Sequence, residues 1–307
     1  MNETKNTAKY IIIALCALVV ALLIAVAFLL GQRSGEKKNG GSDPAAPNVI
    51  STAEQSETRV SEIPHSTAPA QTAAPAQTTY PATEPPVTQA SAETPRSLDI
   101  NMSSGSLTIT EGSAFDIRYD RSVIRAELSG ETMEIDNIYP HPTASQRRRM
   151  DVTITVPYEY TFENVDIECG AGKLIVHTLR AETLDLELGA GSAVFNDLNV
   201  TSSAEIQEGA GELAIKSGEL ANLTLQCGAG ATRVAAALSG INRVDAAVGA
   251  VDLDFKGSEA DYTVAFQMGL GACYYNNEKI ARSGSFGEGP TVVDINGGFG
   301  VMRVNVG

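Results

Sequence analysis

The sequence predicts an all-β fold: a single-stranded β-helix, or β-solenoid, built of ~20-residue rungs. The rungs carry Gly-Ala-Gly corners and are preceded by one transmembrane α-helix and a disordered linker. Three observations predict this. A glycine-flanked corner recurs at near-constant spacing through the C-terminal two thirds of the chain, and period-two alternation of apolar residues flanks each corner. Ahead of both stand one long apolar run and a Pro/Thr/Ala-rich stretch.

Taken in chain order, residues 1–9 form a short cytoplasmic tail. The transmembrane helix follows over 10–31. Ile11 to Leu30 contains no charged residue, Asn, Gln, Gly or Pro, and at ~1.5 Å per residue it matches a hydrocarbon layer of about 30 Å. The run is too long for a signal-peptide core and ends in Phe28-Leu29-Leu30-Gly31 rather than a small-residue cleavage site, so it is expected to stay on the chain. Cys16 follows Leu15, not the small residue of a lipoprotein site, and reads as lipid-facing filler. Ala17, Ala21 and Ala25 place small side chains on one helix face. That face could admit a second helix, although alanine is also common in such helices.

Residues 32–96 form the linker; the 31–96 stretch holds 9 of the 13 prolines. Such a composition cannot bury a core and reads as a semi-extended stalk. The basic residues flanking the helix are nearly balanced, so the positive-inside rule does not orient it. The stalk does: it is suited to lifting a domain off a membrane, which puts residues 97–307 outside the cytoplasm. The expected localisation is a single-pass cell-membrane protein with an extracytoplasmic C-terminal domain. A nine-residue tail cannot fold into an effector, so any signal has to pass through a membrane or envelope protein partner.

The corners of the 97–307 domain are Gly170-Ala171-Gly172, Gly189-Ala190-Gly191, Gly209-Ala210-Gly211 and Gly228-Ala229-Gly230. Degenerate copies follow at Gly249-Ala250-Val251, Gly269-Leu270-Gly271 and Gly298-Phe299-Gly300. Strands such as Leu184/Leu186/Leu188 before a corner and Leu213/Ile215 after one carry apolar residues on one face. Each repeat therefore reads as strand, corner and second strand, with the central Ala expected to point into the corner. One repeat cannot cover its own apolar face, whereas stacked repeats bury a continuous core. Ser104-Gly105 and the Thr153-Ile154-Thr155-Val156-Pro157 strand place residues 97–162 at the start of the same domain.

With the serial Gly-Ala-Gly corners, these features make residues 97–307 resemble the bacterial putative-adhesin family of membrane-tethered β-solenoids, the Toastrack domains. The resemblance implies a non-enzymatic, envelope-associated domain linked with adhesion or envelope stress sensing, and it transfers no catalytic residues. Members place an acidic residue after the second glycine; Lys173, Ser192, Glu212 and Ala231 stand there instead.

Charge narrows the partners. The chain has a formal charge of −15, and residues 97–307 hold 15 basic against 29 acidic residues. That is the wrong sign for phosphate-backbone binding, and nucleic acid is excluded as a partner class. Outward positions stack carboxylates: Asp166, Asp185, Glu205 and Asp245 in one column, Glu168 and Glu187 in another. Such a ladder could take a divalent cation or a cationic ligand, or simply be a hydrated acidic surface; no other cofactor is expected. Cys169, Cys227 and Cys273 read as unpaired core thiols, since the first two share a column about three rungs apart, beyond disulfide reach. Glu208 falls among core residues without a functional account. Arg147-Arg148-Arg149 lies in a polar loop that could touch anionic cell-wall polymer, and Asp252 and Asp254 flank Leu253 as ordinary surface alternation.

Polysaccharide lyases also use solenoids, but their chemistry needs a base beside charge-stabilising groups. The domain has only His141 and His177, and the chain has no Trp to stack sugars. No catalytic residue is assigned. The reading is a non-enzymatic extracytoplasmic binding or stress-sensing domain. A structural scaffold or polymer, with end rungs pairing edge to edge, is the alternative, and a polysaccharide-active enzyme a more distant one.

Overall fold

The computed structural model describes residues 94–307 and the backbone of Val87–Gln89. The expected cytoplasmic tail, membrane helix and almost all of the linker lie outside the described residues. Among the described residues, no helix is long and apolar enough to cross a membrane.

The described chain is almost entirely strand. Its elements are β1 (Val87–Gln89), β2 (Ser97–Gly112), β3 (Asp116–Tyr119), β4 (Ile124–Ser129), β5 (Thr132–Asn137), β6 (Asp151–Pro157), β7 (Phe162–Ile215), β8 (Gly218–Ala221), β9 (Leu223–Ser239), β10 (Ile241–Phe255), β11 (Tyr262–Tyr275), β12 (Glu278–Ile280), β13 (Ser283–Phe286) and β14 (Thr291–Val306). A helix α1 (Ala144–Arg147) and a 3-10 turn (Glu259–Asp261) interrupt them. Strand β7 runs for 54 residues without a break. The corners are therefore bends within extended backbone rather than turns between separate strands, because each corner keeps its parallel ladder to the rung beside it.

Parallel pairing sets the register. β9 lies on the last part of β7 with Gly211 opposite Gly230, and β10 lies on β9 with Gly230 opposite Gly249. Inward side chains from successive rungs form one continuous buried cluster, from Leu98 and Ile100 to Met302 and Val304. A third short side, not anticipated from the alternation, closes the rungs in the middle of the stack. Leu198–Val200 pairs with Gly218–Leu220, which continues onto Ala237–Leu238. Asparagines stitch the rung ends: Asn222 Nδ2 donates to the Ser202 carbonyl at 2.8 Å, and Asn242 Oδ1 accepts from Leu223 N at 2.9 Å.

The glycines answer to the stack. A Cβ on Gly191 would lie 2.1 Å from the carbonyl oxygen of Gly172, and one on Gly230 2.1 Å from that of Gly211. The register corrects one corner. Gly249 is the second glycine of its rung, so the corner there is Ala247-Val248-Gly249 and not Gly249-Ala250-Val251. The central residue also points the other way from expectation. Ala171, Ala190 and Ala210 are exposed, because the inward direction at the bend is already taken by the residue two positions before (Cys169, Leu188 or Glu208) and the residue three positions after (Leu174, Ala193 or Leu213).

At both ends, sequence order and spatial order part company. β2 lies between β7 and the β5–β6 pair that follows it in the chain, and β14 is inserted between β10 and β11. Antiparallel strands cover the outer rungs: β3 on β6, β4 on β5, β12 and β13 on β11. These covering strands are three to six residues long. Short, antiparallel edges are a device against edge-to-edge association, so the end rungs do not present the long open edge that a polymer would use.

Candidate functional site

With the register fixed, the acidic columns take their true positions. Asp99 pairs with Asp166, Glu205 with Thr224, and Thr224 with Arg243. The first column therefore runs from Glu134 through Asp99, Asp166, Asp185 and Glu205 to Thr224, Arg243, Asp294 and Ala265, so its acidic run is broken at Thr224 and Arg243. Asp245 does not belong to it. This residue sits in the second column, opposite Gln226 and Asn296, in line with Glu168 and Glu187. Its charge is compensated by Arg243, whose Nε donates to Asp245 Oδ2 at 2.6 Å, while Asn296 Nδ2 donates to Oδ1 at 3.0 Å. Ladder geometry keeps neighbouring carboxylates a rung apart, and among the described residues no three carboxylate, imidazole or thiol groups converge as a metal site would require.

Beside these columns runs a ridge formed by the central corner residues: Ser104, which is buried, then Ala171, Ala190, Ala210, Ala229, Val248, Phe299 and Leu270 in spatial order. The ridge is flat because both flanking positions of most corners are glycine. It grows at one end, where Phe299 is 60% and Leu270 59% exposed. Tyr274 and Arg303 pair in register beside it, with the guanidinium 5.6 Å from the ring centroid. Arg303 Nη1 donates to Asp252 at 2.9 Å, and Asn305 Nδ2 donates to Asp254 at 2.7 Å. Asp252 and Asp254 are thus both partnered.

Beneath the ridge lies the one acidic side chain of the inner columns. Glu208 is 6% exposed and stacks in line with Cys227 and Ala246, not with Val248 as the misregistered corner would have it. Thr232 Oγ1 donates to Glu208 Oε2 at 2.5 Å, and Oε1 has no partner. A cavity of about 10 Å³, lined by Cys169, Leu188, Glu208 and the corner glycines, adjoins it. Burial pushes the Glu208 carboxyl above its ordinary range, against the opposing effect of the Thr232 hydrogen bond.

Cys169, Cys227 and Cys273 are all unpaired, as expected, and the last two are buried. Burial pushes the thiols of Cys169 and Cys227 up to about 12, far from the thiolate form that a reactive cysteine needs. The Arg147-Arg148-Arg149 segment is not a plain loop. Arg147 closes α1, whose capping box joins Thr143 and Gln146, and Arg149 Nη2 lies 2.6 Å from Asp120. His141, in the loop ahead of α1, and His177, on β7, are both exposed.

The family model described as Toastrack DUF4097 matches residues 95–271. Similar solved structures include a putative cell adhesion protein from Clostridium sporogenes, at 14% identity over 72% of this chain and 98% of that one, with a TM-score of 0.29. A putative adhesin from Bacteroides fragilis is 14% identical over 73% of this chain and 98% of that one, with a TM-score of 0.34. Another from Parabacteroides distasonis is 13% identical over 71% and 95%, with a TM-score of 0.32. None of the curated proteins matches the sequence.

Proposed function

Since the chain belongs to the Toastrack DUF4097 family, we propose that it is a membrane-anchored, extracytoplasmic binding domain that works without catalysis, in envelope attachment or envelope-stress sensing. Its partners are the bilayer through the N-terminal helix, an envelope or membrane protein through the domain, and a cell-wall polymer as a further ligand class. One observation carries the reading. The outward surface repeats acidic side chains over the rungs from Asp99 to Glu205 beside an apolar ridge, and the unlike groups that it does bring together, Arg233, Asp252, Arg303 and Tyr274, lie one rung apart and engage one another as ion pairs and a cation–ring contact. A repeating surface engages an extended partner at many equivalent positions, whereas general acid–base or nucleophilic chemistry needs a few unlike groups within hydrogen-bond reach of one another. The apolar run Ile11 to Leu30 supports the anchor, and the proline-rich stalk supports the outward placement.

The placement is tested by adding protease to intact cells that carry epitopes at both ends of the full chain. Extracytoplasmic placement predicts that the C-terminal epitope is lost while the N-terminal one is protected until lysis. Protection of the C-terminal epitope in intact cells would contradict it.

A further inference from the structure

Residues 116–150 hold 6 basic and 6 acidic residues, and all 6 basic ones are arginine; residues 151–307 hold 9 basic and 21 acidic. Arginine thus gathers at the N-terminal end of an otherwise acidic solenoid. Arg118, Arg125 and Arg149 are paired with Asp116, Asp136 and Asp120. Arg121, Arg147 and Arg148 are exposed and have no carboxylate partner among the described residues. Three segments bring them together. The Asp120–Val123 turn, closed by Val123 N donating to the Asp120 carbonyl at 3.0 Å, carries Arg121. Arg149 Nη2 lies 2.6 Å from Asp120, which pins the end of α1, and with it Arg147 and Arg148, beside that turn. Ile138 N donates to the Val123 carbonyl at 2.9 Å, which adds Ile138 and Tyr139, 46% and 40% exposed. The site is the corner of the outermost parallel rung. Ser103 N donates to Asn137 Oδ1 at 2.7 Å and Ser106 N to the Met150 carbonyl at 3.1 Å, so residues 138–149 stand, on the lateral surface, where other rungs carry their glycine corner. The tether arrives here as well: β1 runs antiparallel to β3 with Val87 opposite Tyr119, so the chain joins the domain beside the Asp120–Val123 turn.

We infer that this arginine-rich corner docks on an anionic bilayer surface, so that the domain stands on its N-terminal end with the acidic rungs held away from the lipid. The inference rests on the proposed anchor and outward placement. Charge, side-chain type and tether each select this occupant. A guanidinium binds phosphate oxygens in pairs, which suits phosphodiester headgroups better than an ammonium does. Exposed Tyr139 beside Ile138 presents the amphipathic and apolar surface that settles at the boundary between headgroups and acyl chains. The chain that reaches Val87 comes from the anchored side and enters next to the arginines, so the bilayer stays within the linker's reach of the patch, whereas a free polymer has no such tether. Glu127, Glu131 and Glu134 lie toward the other end of the β4–β5 hairpin, since Ile124 pairs with Asn137 and Ser129 with Thr132. The same anionic surface repels the 12-residue acidic excess of residues 151–307, which sets the end-on orientation. Each arginine near such a surface contributes about five-fold to binding, so the three without carboxylate partners contribute on the order of 100-fold.

Energy transfer from a dye on the domain to acceptor lipid, measured on the full chain reconstituted in vesicles, tests the docking. The vesicles are phosphatidylcholine alone or phosphatidylcholine mixed with phosphatidylglycerol. The dye is placed on Ser145→Cys, in α1, or on Leu270→Cys, about 35 Å away at the opposite end of the stack; the native thiols of the domain are buried or half-buried, so the labelled wild-type chain gives the background. Transfer from Ser145→Cys is expected to rise at least two-fold when the anionic lipid is present, and to return to the phosphatidylcholine value at about 0.5 M salt. Adding Arg121→Glu, Arg147→Glu and Arg148→Glu should remove the rise with the circular dichroism unchanged, and the corresponding lysine variants should keep part of it. Equal transfer on the two kinds of vesicle at low salt would overturn the inference, as would a rise that survives the three glutamates. A rise at Leu270→Cys as large as at Ser145→Cys would overturn the end-on orientation. Binding of soluble polyphosphate without any rise on anionic vesicles would give the patch to a polymer instead and overturn the membrane assignment. The anchor is read separately by flotation with phosphatidylcholine vesicles, where the patch has no anionic partner: loss of co-flotation there overturns the anchor, while a salt-sensitive rise on the anionic vesicles still upholds the patch.

Discussion

Burying Glu208 between the rungs of Leu188 and Cys227 leaves one carboxyl oxygen without a partner, in a column otherwise held by Met102, Cys169, Leu188, Cys227, Ala246, Gly297 and Met268. An unsatisfied buried polar group costs about 1–3 kcal/mol, and more when charged. The sign of the pH dependence follows. Burial raises the folded-state value of this carboxyl above that of the unfolded chain, so its ionisation opposes folding. Stability is fully present below the ordinary carboxylate range and falls as the pH rises through the raised value. Glu208→Gln removes the ionisation and keeps the shape. Relative to wild type, the unfolding free energy of this variant should therefore gain roughly 1–2 kcal/mol between pH 4 and pH 8. Urea unfolding at the two pH values reads this directly, and an identical offset at both would show that Glu208 does not titrate with folding.

At the scale of the rung, the corner divides into positions that the stack fixes and one that it leaves free. Gly191 has no room for a methyl, since a Cβ would lie 2.1 Å from the Gly172 oxygen. Ala190 between the two glycines faces solvent. Gly191→Ala is expected to cost about 1–3 kcal/mol as an overpacked site, and Ala190→Ser to stay within about 0.5 kcal/mol. Equal effects in denaturant titration would contradict the close stacking of backbones. The same distinction explains what could be read from sequence. The corners were legible because the stack admits nothing but glycine at the second position, from Gly105 through Gly172, Gly191, Gly211, Gly230, Gly249 and Gly300 to Gly271. Ser103 and Ala247 occupy the first position in two rungs, so Gly249 looked like a first glycine and its rung slipped by two residues. A slip of two preserves the inward and outward alternation, which is why burial pattern alone does not reveal it, and why the spacing sets Asp245 one column away from its place. The third side was hidden for a different reason: Leu198–Val200 and its partners are too short to display a period.

Across the whole molecule, local alternation carries no record of which rungs adjoin at the ends. A reading that stacks rungs in chain order follows the middle of the solenoid and misses the insertion of β14 between β10 and β11, and of β2 inside β5 and β6. Those inversions bury the first long strand and the last on both sides and leave short antiparallel strands outermost, which blunts the edges. What remains available for recognition is the lateral surface, acidic along the rungs of residues 97–222 and nearly neutral where the ridge is largest. The proposed binding role requires that this surface contact something besides the chain itself. Lysine-directed crosslinking in intact cells expressing the full chain, with the attached peptides identified, tests that most directly. The account predicts reproducible links from domain lysines such as Lys173 and Lys216 to a membrane or envelope component of the cell. Links confined to the chain itself, in cells where those lysines react freely with the reagent, would contradict it.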